Sequence, residues 1–294
     1  MAHLKAFLPS FSTFLHLRFF FSVFLLPVFF FALSQVPEIN WNSAILTFII
    51  WHLLVYPASN GYNSFFDKDE GSIALIEKPP PVDKSLYYFS LTLDLIALIL
   101  TIFVGWALFF AVLIYGTFSK MYSHPSIRLK KYPFISFFIV FLFQGAFVYW
   151  STYASVSGMN TLYGWNLNFT IAGLICSCLI GATYPLTQVY QHEEDSKRGD
   201  KTLSLILGIR GSFYFSALLF LLSGILIFAY WYRLDLLTNF WLFLIISGPV
   251  FILFISWFVE VYKNPDDANF KKMSRMTLLS GLLMLIYFGL LNII

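Results

Sequence analysis

Apolar stretches long enough to cross a lipid bilayer follow one another along almost the whole chain. A membrane-spanning helix needs about 20 predominantly apolar residues. Nine segments meet or approach that length: 15–35, 41–59, 86–104, 105–120, 133–154, 167–190, 210–231, 236–261 and 275–293. Only 11% of the 294 residues are charged and 59% are hydrophobic, whereas a soluble domain carries about 25% charged residues. No segment between the apolar runs is long enough to fold as a soluble domain. Residues 1–294 therefore read as one all-α domain, a polytopic membrane bundle of nine transmembrane helices. Its implied surroundings are the lipid bilayer, and no nucleic-acid partner is expected.

The third and fourth spans are the tightest fit. Between Lys84 and Lys120 lie 35 residues whose only charge is Asp94. Two crossings at 1.5 Å rise per residue need a very short turn in a core of about 30 Å, and Gly105 is placed to make it. Charge supports the count. With nine spans and the N-terminus inside, every Lys and Arg except Arg233 falls on the inner side, as the positive-inside rule requires. Fusing the two spans would put every later basic loop on the wrong side. The topology also collects Asp67, Asp69, Glu70, Glu77, Asp83, Glu193, Glu194, Asp195 and Asp200 on the cytoplasmic face, with the C-terminus outside. A prokaryotic cell membrane is the expected location.

Three smaller features have bland readings. Residues 1–34 have a basic start, an apolar run and a small-residue end like a signal peptide. Arg18 lies too deep for that pattern, so a retained first helix is expected. Cys176 and Cys178, two apart in an apolar run, form no disulfide framework and read as small buried residues. Tyr149-Trp150, Tyr230-Trp231-Tyr232 and Trp257 lie near span ends, where an aromatic belt is the expected role.

Polar chemistry concentrates in two stretches, Asn60–Glu70 and Tyr184–Gly208. If the second span continues as a helix, Asn63, Asp67 and Glu70 share one face at i, i+4 and i+7. By the same phase Gln188, Gln191, His192 and Asp195 share a face of the second stretch. Two oxygen-rich faces at one membrane surface suit Mg²⁺, a hard cation that takes one or two carboxylates and completes its shell with substrate phosphates. Singly, each cluster also reads as solvated charge at a helix end. Between them lies Tyr122-Ser-His-Pro-Ser-Ile-Arg-Leu-Lys-Lys-Tyr-Pro133, whose Arg128, Lys130 and Lys131 could clamp a diphosphate; positive-inside topology alone also explains them. Asp94, inside the third span, is either functional, or protonated or hydrogen-bonded to a neighbouring helix. His192-Glu193 does not begin an H-E-x-x-H zinc helix, because position 196 is serine.

These residues resemble the UbiA-type intramembrane prenyltransferases over nearly the whole chain. The likeness rests on the nine spans, the Asn63-x-x-x-Asp67 motif after the second, and the Tyr122-Ser…Arg128-Leu-Lys-Lys131 loop after the fourth. It also rests on Asp195-x-x-x-Gly199-x-x-Thr202-Leu203…Leu207-Gly208 after the sixth, and on the Asn264-Pro-Asp-Asp…Phe270 tail. The resemblance implies a helical bundle around a central cavity, and Mg²⁺-dependent transfer of a prenyl group from a polyprenyl diphosphate to a hydrophobic acceptor, aromatic or lipidic. Asp67 and Asp195 would be catalytic. Asn63, Asp67, Glu70, Gln191, Glu194 and Asp195 would hold metal, and Tyr122, Arg128, Lys130 and Lys131 the diphosphate.

The match has departures. Gly71 stands at the third position of the first motif, where Glu70 is the proposed substitute. Gln191 and Gln188 stand at acidic positions of the second, where either Glu194 swings in after local unwinding or the site binds metal with fewer charges. These departures support the alternative of a divergent relative that binds or presents an isoprenoid lipid without turnover. A transporter is disfavoured, since the polar residues cluster at one surface and no inverted repeat is visible.

Overall fold

The structure is a computed structural model that describes residues 9–68, 71–73, 75–158 and 165–293. Among these residues the regular structure is helical, apart from an isolated bridge between Ile73 and Ile76. In chain order the α-helices are α1 (Phe11–Leu17), α2 (Leu26–Ser34), α3 (Trp41–Phe48), α4 (Tyr56–Asp67), α5 (Lys84–Thr101), α6 (Trp106–Ser123) and α7 (Pro133–Val140). They continue with α8 (Phe147–Ser157), α9 (Leu167–Thr183), α10 (His192–Arg198), α11 (Leu203–Arg233), α12 (Leu237–Lys263) and α13 (Phe270–Leu290). A 3₁₀ segment (Phe19–Leu25) joins α1 to α2, and π segments join α3 to α4 (Ile49–Val55) and α7 to α8 (Phe141–Ala146).

Polar residues at the edges of the apolar runs set where helices begin. Asn40, Asp83, Asn166, Thr202 and Asn269 each accept a backbone N–H of the first turn, which satisfies a donor that the helix itself leaves unpaired. Joined through the 3₁₀ and π segments, these elements give eight runs long and apolar enough to cross a membrane. The fourth expected span is α6, which is not among the eight. Thr117, Ser119, Lys120 and Ser123 in its last turns lower its apolarity, so the count of nine is approximate. Gly105 makes the short turn before α6 at φ 145°, backbone that favours glycine.

The chain forms two compact units. The first comprises Met1–Val23, Val36–Lys130 and Ser151–Thr161; the second comprises Phe24–Gln35, Lys131–Trp150 and Leu162–Ile294. In the first unit Leu17, Ala58, Leu86 and Leu93 form a buried cluster. Gly61 lets α4 approach α5 closely: a Cβ there would collide with Ser90 Oγ and press on Leu17. The start of the chain is tied to the proline loop. His16 Nε2 lies 2.8 Å from the Pro80 carbonyl oxygen, and the Ser12 hydroxyl donates to the Pro81 carbonyl at 2.7 Å.

The second unit packs around aromatic rings. Phe213 meets Trp257 edge-on at 4.8 Å between centroids and stacks on Phe258 at 5.3 Å. The Trp257 indole N–H donates to the Asp267 carbonyl at 2.9 Å, so the ring fills apolar space while its polar edge is satisfied. Gly145, in the second π segment, crosses directly against the Ser177 backbone, and the Ser177 hydroxyl accepts the Ala146 N–H at 2.9 Å. Cys176 and Cys178 are free and buried there.

Candidate functional site

The second span continues as a helix through the first polar motif as far as Asp67, where Lys68 caps it in the left-handed conformation (φ 47°). Pro57 sits in its middle. Proline lacks an N–H and its ring crowds the carbonyl four residues back. The π segment just before it absorbs this, since the Tyr56 N–H reaches Trp51 O, five residues back. Such π turns are rare and frequent at functional sites.

Downstream of Pro57, α4 turns a polar stripe of Ser59, Asn63 and Asp67 toward the α6 segment. The Ser119 hydroxyl donates to Ser59 Oγ at 2.7 Å, and the Ser123 hydroxyl donates to Asn63 Oδ1 at 2.6 Å. On the next turn Lys130 Nζ donates to Asp67 in a salt bridge. The pair is sheltered, with 12% of the Lys130 side chain and 7% of the Asp67 side chain exposed. Thus a residue of the basic loop and an acid of the first motif, 63 positions apart, meet in one unit. Lys130 gets there through a break in the chain: α6 ends at Ser123, Arg128 adopts φ 45°, and Leu129–Lys131 forms a 3₁₀ turn. Arg128 N–H donates to the His124 carbonyl at 2.7 Å. Tyr122 is partly buried at the end of α6. Lys131 belongs to the second unit and lies over the Tyr132 ring at 5.0 Å.

Asp94 is ion-paired with Lys120 of α6. Lys120 Nζ also sits 5.0 Å from the centroid of the Tyr62 ring, a cation–π contact. A carboxylate, an ammonium and an aromatic face from three helices of one unit therefore meet. Asp94 is thus held by an ion pair to a neighbouring helix.

The second motif departs from the expected continuous helix. α9 ends at Thr183; Pro185–Thr187 and Val189–Gln191 are 3₁₀ turns, and α10 starts at His192. The 3₁₀ turns repeat every three residues rather than 3.6, a period that sets residues three apart, such as Gln188 and Gln191, one above the other, so short turns rather than one continuous α-helix carry this stretch. Gln188 Oε1 accepts the Ser204 N–H at 3.4 Å. His192 Nε2 lies 2.7 Å from Ser204 Oγ, which lies 2.8 Å from Ser212 Oγ. Ser212 Oγ in turn donates to the Gly208 carbonyl at 2.9 Å. Each hydroxyl has one proton. Because Ser212 spends its proton on a carbonyl, Ser204 donates to Ser212, and His192 Nε2–H donates to Ser204. The chain of bonds ends at Gly208, whose φ of 68° and ψ of 170° interrupt α11.

Burial lowers the His192 pKa, which favours the neutral ring. Asp195 is partly buried on α10, three residues from His192. Gly199 closes α10 in the left-handed conformation, and the Asp200 N–H donates to the Asp195 carbonyl at 3.0 Å. Glu193 is exposed and pairs with Lys197 one turn on at 2.7 Å, which lowers its pKa. Glu70 and the Glu194 side chain lie outside the described residues.

Asn63 and Asp67 offer hard oxygen donors one helical turn apart, the chemistry that Mg²⁺ selects. Asp67 already holds a cation, the Lys130 ammonium, so the carboxylate sits where positive charge is accepted. Among the described residues no group of three or more His, Cys, Asp or Glu side chains is gathered in a metal-binding arrangement. A cation at Asn63 and Asp67 would take its remaining ligands from water or substrate oxygens. Ser59, Ser119, Ser123, Lys120, Ser204 and Ser212 were not foreseen as parts of these networks; a lone serine in an apolar helix gives no hint of its partner.

The molecule is thus a multi-pass integral membrane protein with an oxygen-donor motif on α4, a lysine drawn onto it, and a second polar motif built from short helices. The UbiA prenyltransferase family model matches residues 21–281, and the chain belongs to that family. Solved structures share the fold. A UbiA homologue from Archaeoglobus fulgidus bound to GPP and Mg²⁺ has TM-score 0.67 at 16% identity, covering 96% of this chain and 100% of that one. The homologue from the same organism bound to DMAPP and Mg²⁺ has TM-score 0.66 at 17% identity, covering 96% and 99%. A structure reported for structural and mechanistic insights into the biosynthesis of digeranylgeranylglyceryl phosphate synthase in membranes has TM-score 0.63 at 22% identity, covering 100% of both chains. No match to a curated protein was found.

Proposed function

We propose that residues 1–294 work as one prenyl-transfer domain, moving a prenyl group from a polyprenyl diphosphate to a small aromatic or lipidic acceptor within the membrane. The observation that carries this reading is the meeting of Lys130 with Asp67: a cation suited to a diphosphate beside an acid suited to its metal. Support comes from family membership and from the GPP, DMAPP and Mg²⁺ bound by homologues of the same fold.

The chemistry follows from charge. Bound Mg²⁺ would neutralise the leaving diphosphate as the allylic C–O bond breaks. Asn63 and Asp67, with Gln191, Glu194 and Asp195, are the proposed metal-binding residues, and Glu70 completes the first motif. Tyr122, Arg128, Lys130 and Lys131 hold the diphosphate oxygens and stabilise negative charge as it develops. The acceptor attacks the prenyl carbon and releases a proton, so the products are the prenylated acceptor, diphosphate and H⁺. The basic loops and both motifs are placed on the cytoplasmic side of a prokaryotic membrane, with the C-terminus outside, because that topology puts every Lys and Arg except Arg233 inside.

Gln188 and Gln191 favour a second reading, a relative that binds an isoprenoid lipid without turnover. Gln188 is occupied with the Ser204 N–H, a structural task. Binding of farnesyl or geranylgeranyl diphosphate to purified protein, with and without Mg²⁺, tests the first reading. Asp67→Ala and Asp195→Ala are expected to abolish Mg²⁺-dependent binding. No diphosphate binding at any Mg²⁺ concentration would overturn it, and binding without turnover of any aromatic or lipidic acceptor would select the second reading.

A further inference from the structure

The partner of Asp67 is a residue that the diphosphate would also claim. Lys130 carries a compact charge on a flexible four-carbon stem, and its backbone sits in a 3₁₀ turn next to the left-handed Arg128. The side chain can therefore change partner while the loop stays in place. Both members of the pair are sheltered, and a charge out of water is strongly disfavoured without a counter-charge. The carboxylate cannot hold an ammonium and a divalent cation on the same oxygens without strong repulsion between the cations.

We infer that Lys130 is an exchangeable counter-ion. It neutralises Asp67 when no ligand is bound, and it transfers to a diphosphate oxygen when a divalent cation takes the carboxylate. The inference rests on the prenyl-diphosphate reading and adds a consequence to it. Metal alone must expel an ammonium that has no new anion to meet. Diphosphate alone finds the ammonium engaged. Together each ligand removes the obstacle to the other, so metal and diphosphate bind cooperatively. By thermodynamic linkage the enhancement is the same in both directions. Lys130 is thus a positioning residue for Asp67 before binding and a ligand for the diphosphate after it.

The test is calorimetric titration of Mg²⁺ into purified wild type, Lys130→Met and Lys130→Arg, each with and without geranyl thiolodiphosphate, an analogue that resists ionisation. In wild type the analogue should tighten Mg²⁺ binding by a factor on the order of 5 to 150. Lys130→Met should bind Mg²⁺ alone more tightly than wild type, with the enhancement by the analogue reduced toward onefold. Lys130→Arg keeps the charge and adds a two-pronged grip on the carboxylate. It should bind Mg²⁺ alone more weakly than wild type and keep the enhancement, which preserves the test if the methionine variant does not fold. If wild type binds metal and analogue but neither substitution changes Mg²⁺ affinity in the stated direction, the exchange is wrong and the prenyl-diphosphate reading stands. If wild type binds neither ligand, that reading falls and the exchange falls with it.

Discussion

The Ser123 hydroxyl donates to the side-chain oxygen of Asn63 across 2.6 Å. This bond fixes the plane of the carboxamide and leaves its oxygen with a second lone pair. Groups that orient a metal ligand typically change metal affinity 10- to 100-fold when removed. Ser123→Ala is expected to weaken Mg²⁺ binding by about that factor, while Ser123→Thr, which keeps the hydroxyl, stays near wild type. Equal Mg²⁺ affinity in wild type and Ser123→Ala, read by titration, would show that Asn63 needs no such support.

Gln191 gives a gain-of-function test. A neutral amide oxygen is a weaker Mg²⁺ ligand than a carboxylate, and the residue stands at the end of a 3₁₀ turn just before α10. Gln191→Asp should raise Mg²⁺ affinity in the presence of geranyl diphosphate by about tenfold, one charge-assisted contact of roughly 1.4 kcal/mol. An unchanged or lower affinity would mean that position 191 does not face the cation.

His192 makes the second unit acid-sensitive. Burial holds its pKa below the ordinary value, which is about 6.5 in an unfolded chain. As pH falls through about 6.5, the unfolded state takes up the proton first, so folding stability declines in the interval down to the folded pKa. Its contribution is fully present above that interval. Thermal unfolding in detergent from pH 8 to 5 should therefore show a decline that His192→Gln flattens. A variant whose pH curve overlays the wild type would exclude the ring as the source.

The Asp94–Lys120 pair predicts strong non-additivity. Removing one member leaves a buried charge alone, at a cost of about 3–5 kcal/mol, whereas replacing both by apolar residues of similar volume is often neutral. Asp94→Leu and Lys120→Met should each destabilise the protein by about that amount, and the double variant should recover most of the loss. Additive losses in a denaturation cycle would rule out the ion pair as the reason these two residues matter.

The spans were legible because length and hydropathy are properties of the chain alone. The shared face of Asn63 and Asp67 was legible as well, because four residues make nearly one helical turn and α4 stays regular through them. The second motif was harder to read. Pro185 ends α9 in favour of 3₁₀ turns, so a stretch that an α-helical projection treats as one helix is built from short turns and α10. The α4 ladder was hidden for another reason. Ser59, Ser119 and Ser123 can equally bond their own helix backbone, and only the packing of α4 on α6 decides. The Lys130–Asp67 contact spans 63 positions, and no local pattern announces it.

The short turn at Gly105, with Asp94 and Lys120 facing each other beyond it, bears on how the protein is made. A lone Asp near the centre of an inserting helix costs about 2.5–3.5 kcal/mol, so α5 enters the bilayer best together with α6, whose Lys120, in its last turns, cancels the Asp94 charge. A nascent chain halted before Lys120 emerges should be extracted from membranes by alkaline carbonate more readily than one halted after it; equal extraction would argue against paired entry. On this view the ion pair has already done part of its task before any substrate arrives, as a ticket for two helices to leave the translocation channel together.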